Sequence, residues 1–483
     1  MSFPSIQQEL LRSALTTEGS FFTEEQFLAW VSGQSARCSY SVRQIPFLEL
    51  NDWYFDASTG NLAHRSGKFF TVQGISVQTN YPRELSWEQP IVSQPEIGIL
   101  GIIARSFDGV LHFLMQAKME PGNINLVQLS PTLQATKSNY TQVHKGKLPL
   151  YYEFFEGRPK GTIIVDQLQS EQGARYLNKR NRNIILLVED AVEARENFCW
   201  LTLGQLKRLL RYDNLVNMDS RTVLSGIQYG DGAEGGARPD AEAASIALFD
   251  RRLEGFQRDL YRSLTEKDKA LYRFEDIISW FTRLKANAEI QVQPIPLNQV
   301  NGWHKNDHEI YHESRHYFSV MAVAVNASTR EVGSWTQPLL KHFSCGIVGF
   351  LAAPINGVLH FLVEARMCPG YRDFIEMGPT VSCGEADYRM ESGTAPLFTD
   401  CFYHADAKAI RFSAILSEEG GRFYHYQNRY MVVELDSPDR LRVPGNYIWM
   451  TYGQLLDFIR HTNYINVEAR SLIACLSFLP REK

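Results

Sequence analysis

The chain repeats itself, and that repetition limits what it can fold into more than any other feature. Residues 109–122 read GVLHFLMQAKMEPG and residues 357–370 read GVLHFLVEARMCPG, with ten of fourteen positions identical at a constant offset of 248. Each copy runs on into a polar segment, VQLSPTLQATKSNY after the first and IEMGPTVSCGEADY after the second. A second pair of blocks, SEQGARYLNKRNR at 170–182 and SEEGGRFYHYQNR at 417–429, shares six of thirteen positions at an offset of 247. The 483 residues therefore divide into two related units, each long enough to bury a core.

Local signals fill in the units. Thr23 and Gln26 form a Thr-x-x-Gln capping box before an apolar helix face, and FEDIISWF, with Trp280 in the place of Trp30, is its counterpart. FFTVQGISV and YFSVMAVAV alternate as strands. Asp108-Gly109 and Asn356-Gly357 sit between apolar runs, as two-residue hairpin turns require, because both positions need positive φ. Thr202 and Thr451 open two further Thr-x-x-Gln helices near the end of each unit. GDGAEGGARPDAEAAS separates the units as a Gly/Ala/acidic linker. The apolar spacing from Ile246 to Leu264 predicts an amphipathic connecting helix, docked across both units or at a subunit contact. The expected architecture is α/β of the α+β kind. A first repeat spans 1–227, the linker and connecting helix 228–268, and a second repeat 269–483.

Composition excludes several classes. A net charge of −5 is wrong for a general nucleic-acid binder. No apolar run reaches membrane-spanning length, and the N-terminus has no secretory pattern. Seven cysteines without a Cys-x-x-Cys pair read as reduced thiols in a cytoplasmic protein. The dinucleotide, P-loop, Gly-x-Ser-x-Gly and His-Glu-x-x-His motifs are all missing, so no cofactor and no metal site is indicated.

Two regions can carry chemistry. Residues 123–152 are rich in amides, hydroxyls and aromatics, which suits either a solvated loop or the wall of a pocket for a hydroxyl-rich ligand. The recurrence of Ser130-Pro131-Thr132 as Gly378-Pro379-Thr380 favours the wall. Residues 170–182 carry Arg175, Lys179, Arg180 and Arg182, either a solvated basic turn with Glu171 as partner or a grip for a diphosphate. Trp53, Trp87, Trp303 and Trp335 read by default as packing indoles. His112 and His360 read as satisfied core histidines, whereas His144 has no counterpart and is an acid/base candidate.

The blocks QAKMEPGNINLVQLSPTLQATKSNY, SEQGARYLNKRNR and EARMCPGYRDFIEMGPT resemble the NDP-hexose 2,3-dehydratases of deoxysugar biosynthesis, over nearly the whole chain. The resemblance implies two tandem Nudix-like α/β sandwich domains and a homodimer. The acidic Nudix box Arg-Glu-x-x-Glu-Glu is missing from both halves, which argues against metal-assisted pyrophosphate cleavage. The implied reaction is 2,3-dehydration of a nucleotide-linked, usually dTDP-linked, 4-keto-6-deoxyhexose to a 3,4-diketo-2,6-dideoxyhexose, with a 3-ketoreductase downstream. A Nudix-type hydrolase of nucleotide sugars and a non-catalytic sugar-nucleotide binder are the alternatives.

Such a reaction needs a base at C3, a cation or donor at the ketone oxygen and an acid at the 2-hydroxyl. The expected catalytic set is Lys118, Gln134, Tyr140 and His144, with Lys118 at the enolate and Tyr140 or His144 moving protons. Gln116, Gln128, Thr132, Thr136, Asn139 and Asn181 complete the substrate wall, Arg175 and Arg182 face the diphosphate, and Trp87 stacks. The second repeat replaces Gln128 by Glu376, Gln134 by Ser382 and Thr136 by Gly384. Its pocket, with Trp335, Arg366, Thr380, Tyr388, Arg422 and Arg429, is therefore expected to be vestigial.

Overall fold

A computed structural model describes residues 5–37, 39–141, 148–229, 253–328, 332–384 and 396–479. His144, Tyr388 and the Gly/Ala/acidic linker lie outside them.

The hairpin forms where its turn predicts. Strand Gly98–Phe107 returns as Val110–Met119, and Asp108 and Gly109 take φ of 51° and 74°. Asn356 and Gly357 repeat the turn at 53° and 78°. All three Thr-x-x-Gln boxes close: Gln26 N donates to Thr23 Oγ1 at 3.2 Å, Gln205 N to Thr202 Oγ1 at 3.1 Å and Gln454 N to Thr451 Oγ1 at 3.2 Å.

Each repeat builds a seven-stranded sheet around its hairpin and a six-stranded sheet beside it. In the first seven-stranded sheet, Arg180–Leu187 runs parallel to Gly98–Phe107, with Ile185 opposite Ile102. The second repeats this with Gln427–Glu434 against Gly346–Ile355. The architecture is thus two tandem mixed α/β units.

The six-stranded sheets are not made within one repeat. Tyr40–Ile45 of the first pairs antiparallel with Phe318–Ala327 of the second, Val42 opposite Val325. Reciprocally, Ile290–Ile295 pairs with Thr71–Thr79, Val292 opposite Val77. The repeats exchange a strand. One continuous core runs through both seven-stranded sheets and their helices, from Phe27 and Ile102 to Phe361 and Leu472.

Two helices revise the sequence reading. The helix of this stretch runs Gly255–Thr265, after an extended Glu254, and packs on the second hairpin and on Tyr452–Ile459. It repeats the N-terminal helix Ile6–Leu15. Ser13 Oγ donates to the Leu111 carbonyl and accepts from Leu203 N at 2.9 Å, and Ser263 makes the same pair of contacts with Leu359 and Tyr452. The helix is therefore part of the second unit's core. Each repeat also carries one further short helix, Met218–Leu224 and Val467–Cys475, and these two pack on each other at the centre of the molecule.

Candidate active site

The Pro-Gly corners that end the hairpins do more than stop a strand. Gly122 N donates to the Gly420 carbonyl at 2.7 Å, and His425 N donates to the Gly122 carbonyl at 2.9 Å. Gly370 makes the same two contacts with Gly173 and Asn178, at 2.8 Å each. Each corner docks on the other repeat's 170–182 or 417–429 block. A Cβ on Gly122 would lie 1.7 Å from the Phe423 carbonyl oxygen. The first hairpin thereby brings Glu120 beside Gly421 and Glu419 of the second repeat.

Above this junction lies a cavity of about 630 Å³. Part of its lining is dense in ionisable groups. Lys118 and Glu120 come from the hairpin strand and its end, Glu171 and Lys179 from the first repeat's turn, Asp219 from helix Met218–Leu224, and Glu419 and Arg422 from the second repeat. Lys118 Nζ donates to the Gln134 carbonyl at 3.1 Å and stands 4.0 Å from Glu120 Oε1. Gln134 Nε2 donates to Glu120 Oε1 at 2.8 Å, while its Oε1 accepts from Asn217 Nδ2 at 3.3 Å. Asn181 Nδ2 donates to Glu171 Oε1 at 2.6 Å. Oε2 of Glu120 and Oε2 of Glu171 are buried without a hydrogen-bond partner in the protein.

Burial works against charge here. It pushes the Glu171 carboxyl up to about 7, with Glu419 adding to the rise and Arg470 and Lys179 opposing it. Burial, reinforced by Glu419, Glu171 and Glu120, holds Asp219 far above the carboxylate range. Glu419 rises through burial and Glu120, and burial lowers Lys179. Crowded carboxylates out of water do not all ionise together. The site can therefore present an acid and a base together.

Another part of the lining is aromatic. Trp53, His64, Phe69 and Phe70 come from the first repeat's six-stranded sheet and its connections, and Trp335 from the second. Trp53 packs 4.8 Å from Phe70, and its Nε1 donates to the Thr336 carbonyl of the other repeat at 3.1 Å. The Arg422 guanidinium lies 4.3 Å over the Phe70 ring.

Of the residues expected from sequence, Lys118, Gln134, Thr136, Asn139 and Asn181 line this cavity. The cross-repeat docking reassigns the indole and the arginine. Trp335 and Arg422, expected in the second pocket, line the first, in place of Trp87 and Arg175. Trp87 donates to Gln89 at 2.9 Å, and Arg175 lies 4.3 Å over Phe318 in the second half.

Several others are framework. Thr132 Oγ1 accepts from Ile103 N at 3.0 Å and donates to the Leu114 carbonyl, and Thr380 does the same with Leu351 and Leu362. The recurrent Pro-Thr therefore fastens the hairpin. Gln128 is buried and accepts from Ser417 Oγ at 2.9 Å. Gln116 lies on the hairpin strand opposite Ser130 and is not among the lining residues. Tyr140 stacks on Tyr152 at 5.2 Å and is not among the lining residues, and burial raises its hydroxyl. Arg182 forms a two-pronged ion pair with Asp166 at 2.7 and 2.6 Å. Arg366 donates to Glu364 at 3.3 Å, and Arg429 is exposed, 3.5 Å from Ser413 Oγ.

The equivalent place in the second half carries different side chains. Cys368, Arg366 and Tyr426 stand where Glu120, Lys118 and Lys179 stand in the first. His342 stacks on Tyr426 at 4.3 Å, and Glu418 accepts from Gln172, Asn428 and Tyr430 at 2.7, 3.1 and 2.9 Å. The carboxylates of the first cavity were underweighted in the sequence. The Glu120/Cys368 mismatch and the Glu171/Glu418 recurrence pointed to two of them, and Asp219 and Glu419 gave no local signal.

The family described as NDP-hexose 2,3-dehydratase matches residues 24–227 and again 274–476. Three curated relatives carry the name dTDP-4-dehydro-6-deoxy-alpha-D-glucopyranose 2,3-dehydratase. The one from Saccharopolyspora spinosa is 45% identical over 468 residues, covering 97% of this chain and 94% of its own. The one from Amycolatopsis orientalis is 43% identical over 471 residues, covering 96% and 92%, and that from Streptomyces violaceoruber 41% over 457 residues, covering 94% and 97%. Among solved structures, C. elegans Ap4A hydrolase aligns with 25% of this chain and 87% of its own, at 14% identity and a TM-score of 0.15.

Proposed function

Because the chain belongs to the NDP-hexose 2,3-dehydratase family, we propose that the cavity between its repeats eliminates water across C2 and C3 of a dTDP-linked 4-keto-6-deoxyhexose. The protein is a hydro-lyase acting on a sugar nucleotide. The observation that carries the site assignment is one cavity lined both by aromatic side chains and by Glu120, Glu171, Asp219, Glu419 and two lysines, with the Arg422 cation over the Phe70 ring.

The 4-ketone makes the C3 hydrogen acidic. Glu171, raised to about 7 and with Oε2 unpartnered, is the base that removes it. Lys118, held by the Gln134 carbonyl, faces the charge that develops on the ketone oxygen. Asp219, whose carboxyl burial and neighbouring carboxylates hold well above the usual carboxylate range, gives its proton to the departing 2-hydroxyl, which otherwise leaves as hydroxide. The enol then tautomerises to the 3,4-diketone. Gln134 fixes Glu120 and so completes the wall beside the sugar. Arg422 and Lys179 neutralise the diphosphate, and Trp335, with Phe69 and Phe70, packs against the base. This set replaces Tyr140 as the proton carrier.

The second half-site binds without turnover or is closed, since its carboxylate Glu418 is fully hydrogen-bonded. In the cell the enzyme acts in the cytoplasm as a homodimer within deoxysugar biosynthesis, and a 3-ketoreductase consumes its unstable product. Among the described residues, no helix is long and apolar enough to cross a membrane.

The test is incubation with dTDP-4-keto-6-deoxyglucose, following loss of water by mass spectrometry with and without a 3-ketoreductase. Water loss that survives EDTA, with no nucleoside monophosphate formed, is the expected result. Monophosphate release would indicate a hydrolase, and substrate returned unchanged a binder.

A further inference from the structure

The short helix Val467–Cys475 ends the described second repeat, yet it carries a fully buried arginine that reaches into the first. Arg470 donates through Nη2 to the Ser170 carbonyl, through Nη1 to the Ile465 carbonyl, and through Nε to Thr222 Oγ1 at 2.8 Å. Its Nη1 also stands 3.5 Å from Ser170 Oγ. Ser170 is the last residue of strand Thr162–Ser170, and the next residue is Glu171. The carbonyl that Arg470 grips therefore belongs to the peptide that sets the origin of the Glu171 side chain.

Resting on the reading of Glu171 as the base, we propose that Arg470 is a positioning residue for the first cavity: the second repeat's C-terminal helix fixes where the Glu171 carboxylate stands. The grip is rigid because a guanidinium presents several donors in a fixed plane. Three of its partners sit on three separate segments: the Glu171 strand, the Met218–Leu224 helix through Thr222, and its own helix entry through Ile465. The neighbouring residue on that second helix, Arg221, makes the reciprocal contacts, donating to the Ser417 carbonyl at 2.6 Å and the Val216 carbonyl at 2.8 Å. Ser417 in turn precedes Glu418 and Glu419, so two crossed arginines hold both acidic turns.

Arg470 also acts at a distance on charge. The groups facing Glu171 are Arg470 from the C-terminal helix, Glu419 from the other repeat, Asp219 from helix Met218–Leu224, and Lys179, Tyr176 and Asn181 from its own turn. Arg470 is the foremost of those that favour the ionised carboxylate. Its cation is shared with Glu376 and Glu468. Removing it leaves Glu171 protonated to higher pH, and a base must be ionised to work. The acidic limb of the rate profile should therefore move upward.

The experiment measures kcat and KM against pH for Arg470→Gln, Arg470→Lys and Thr222→Val, with Leu472→Ala as a destabilised control on the same helix and Glu171→Gln as the check on the base. In Arg470→Gln the acidic limb should rise by about one unit, a loss of roughly fivefold at neutral pH that approaches about tenfold in acid and shrinks in alkali. Arg470→Lys keeps a charge but loses the fork, so its limb should stay near wild type while kcat falls and KM holds. Thr222→Val should do the same more weakly. An acidic limb unmoved in Arg470→Gln, or moved equally in Leu472→Ala, overturns the proposal. If Arg470→Gln does not fold, a wild-type kcat in Arg470→Lys overturns it and a reduced kcat at constant KM supports it. Full activity in Glu171→Gln instead overturns the underlying reading of the base.

Discussion

Glu171 and Glu418 descend from the same repeat position, and their surroundings give them different chemistry. Glu418 spends both oxygens on Gln172, Asn428 and Tyr430. Glu171 has one donor, Asn181, and an unpartnered Oε2. A satisfied carboxylate is a structural element, and an unsatisfied buried one is poised for proton transfer. Glu171→Gln should lower kcat by at least about a hundredfold, the lower end of what a positioned acid or base contributes, with KM for the sugar nucleotide little changed, read in a coupled ketoreductase assay. In the wild type, activity should rise with pH through about 7 as Glu171 ionises. It should fall again in alkali as Asp219 loses its proton, since burial and three carboxylates raise that group. Gln134 supplies the second contrast between the halves. It joins Glu120 to Asn217 across the cavity floor, whereas its counterpart is Ser382. Gln134→Ala should remove most activity and Ser382→Ala almost none, and an equal loss in both would contradict a single working half.

The hairpin with its Pro-Gly corner was legible as an element, and its purpose was not. Strand alternation, the Asp-Gly turn and the Thr-x-x-Gln caps are local signals, fixed by neighbours a few residues away. They placed strands Gly98–Phe107 and Val110–Met119 and the helices beginning after Thr202 and Thr451. The exchanged strands Tyr40–Ile45 and Ile290–Ile295 could not be paired this way, because alternation marks a strand without naming its partner. The site suffered the same loss. Arg175 and Arg422 occupy matching places in similar blocks, and only the docking of Gly122 on Phe423 says that Arg422 serves the first cavity. That docking is testable at one atom. Gly122→Ala forces a methyl into the Phe423 carbonyl and should destabilise the fold by at least about 2 kcal/mol. Gly33→Ala, exposed in helix Glu24–Arg37 with nothing within 4 Å, should instead stabilise by up to about 1 kcal/mol. Denaturant titration of the two variants reads opposite signs if the corner is a true contact.

At the scale of the molecule, the duplication did not produce two independent domains. Exchanged strands, paired terminal helices and one shared core join the halves. Its interior carries the cost of a polar seam. Glu171 and Glu376 both sit in that seam, and burial raises each to about 7 from an ordinary value near 4.5. A carboxyl whose folded pKa lies above its unfolded one binds its proton more tightly when folded. Its stabilisation is complete below pH ~4.5 and is lost as pH climbs through about 7, the reverse of a salt-bridged carboxylate. The melting temperature of the ligand-free protein should therefore fall between about pH 5 and 7.5. Glu376 separates this effect from catalysis. It accepts from Ser170 Oγ at 2.6 Å, outside the cavity lining, and its first-repeat counterpart Gln128 accepts from Ser417 at 2.9 Å. The fold thus already accommodates an amide at this position. Glu376→Gln should flatten the melting curve's pH dependence and raise the melting temperature at pH 8. An unchanged slope would mean that the seam's protons are held elsewhere, with Asp219 and Glu419 the remaining holders on the cavity side.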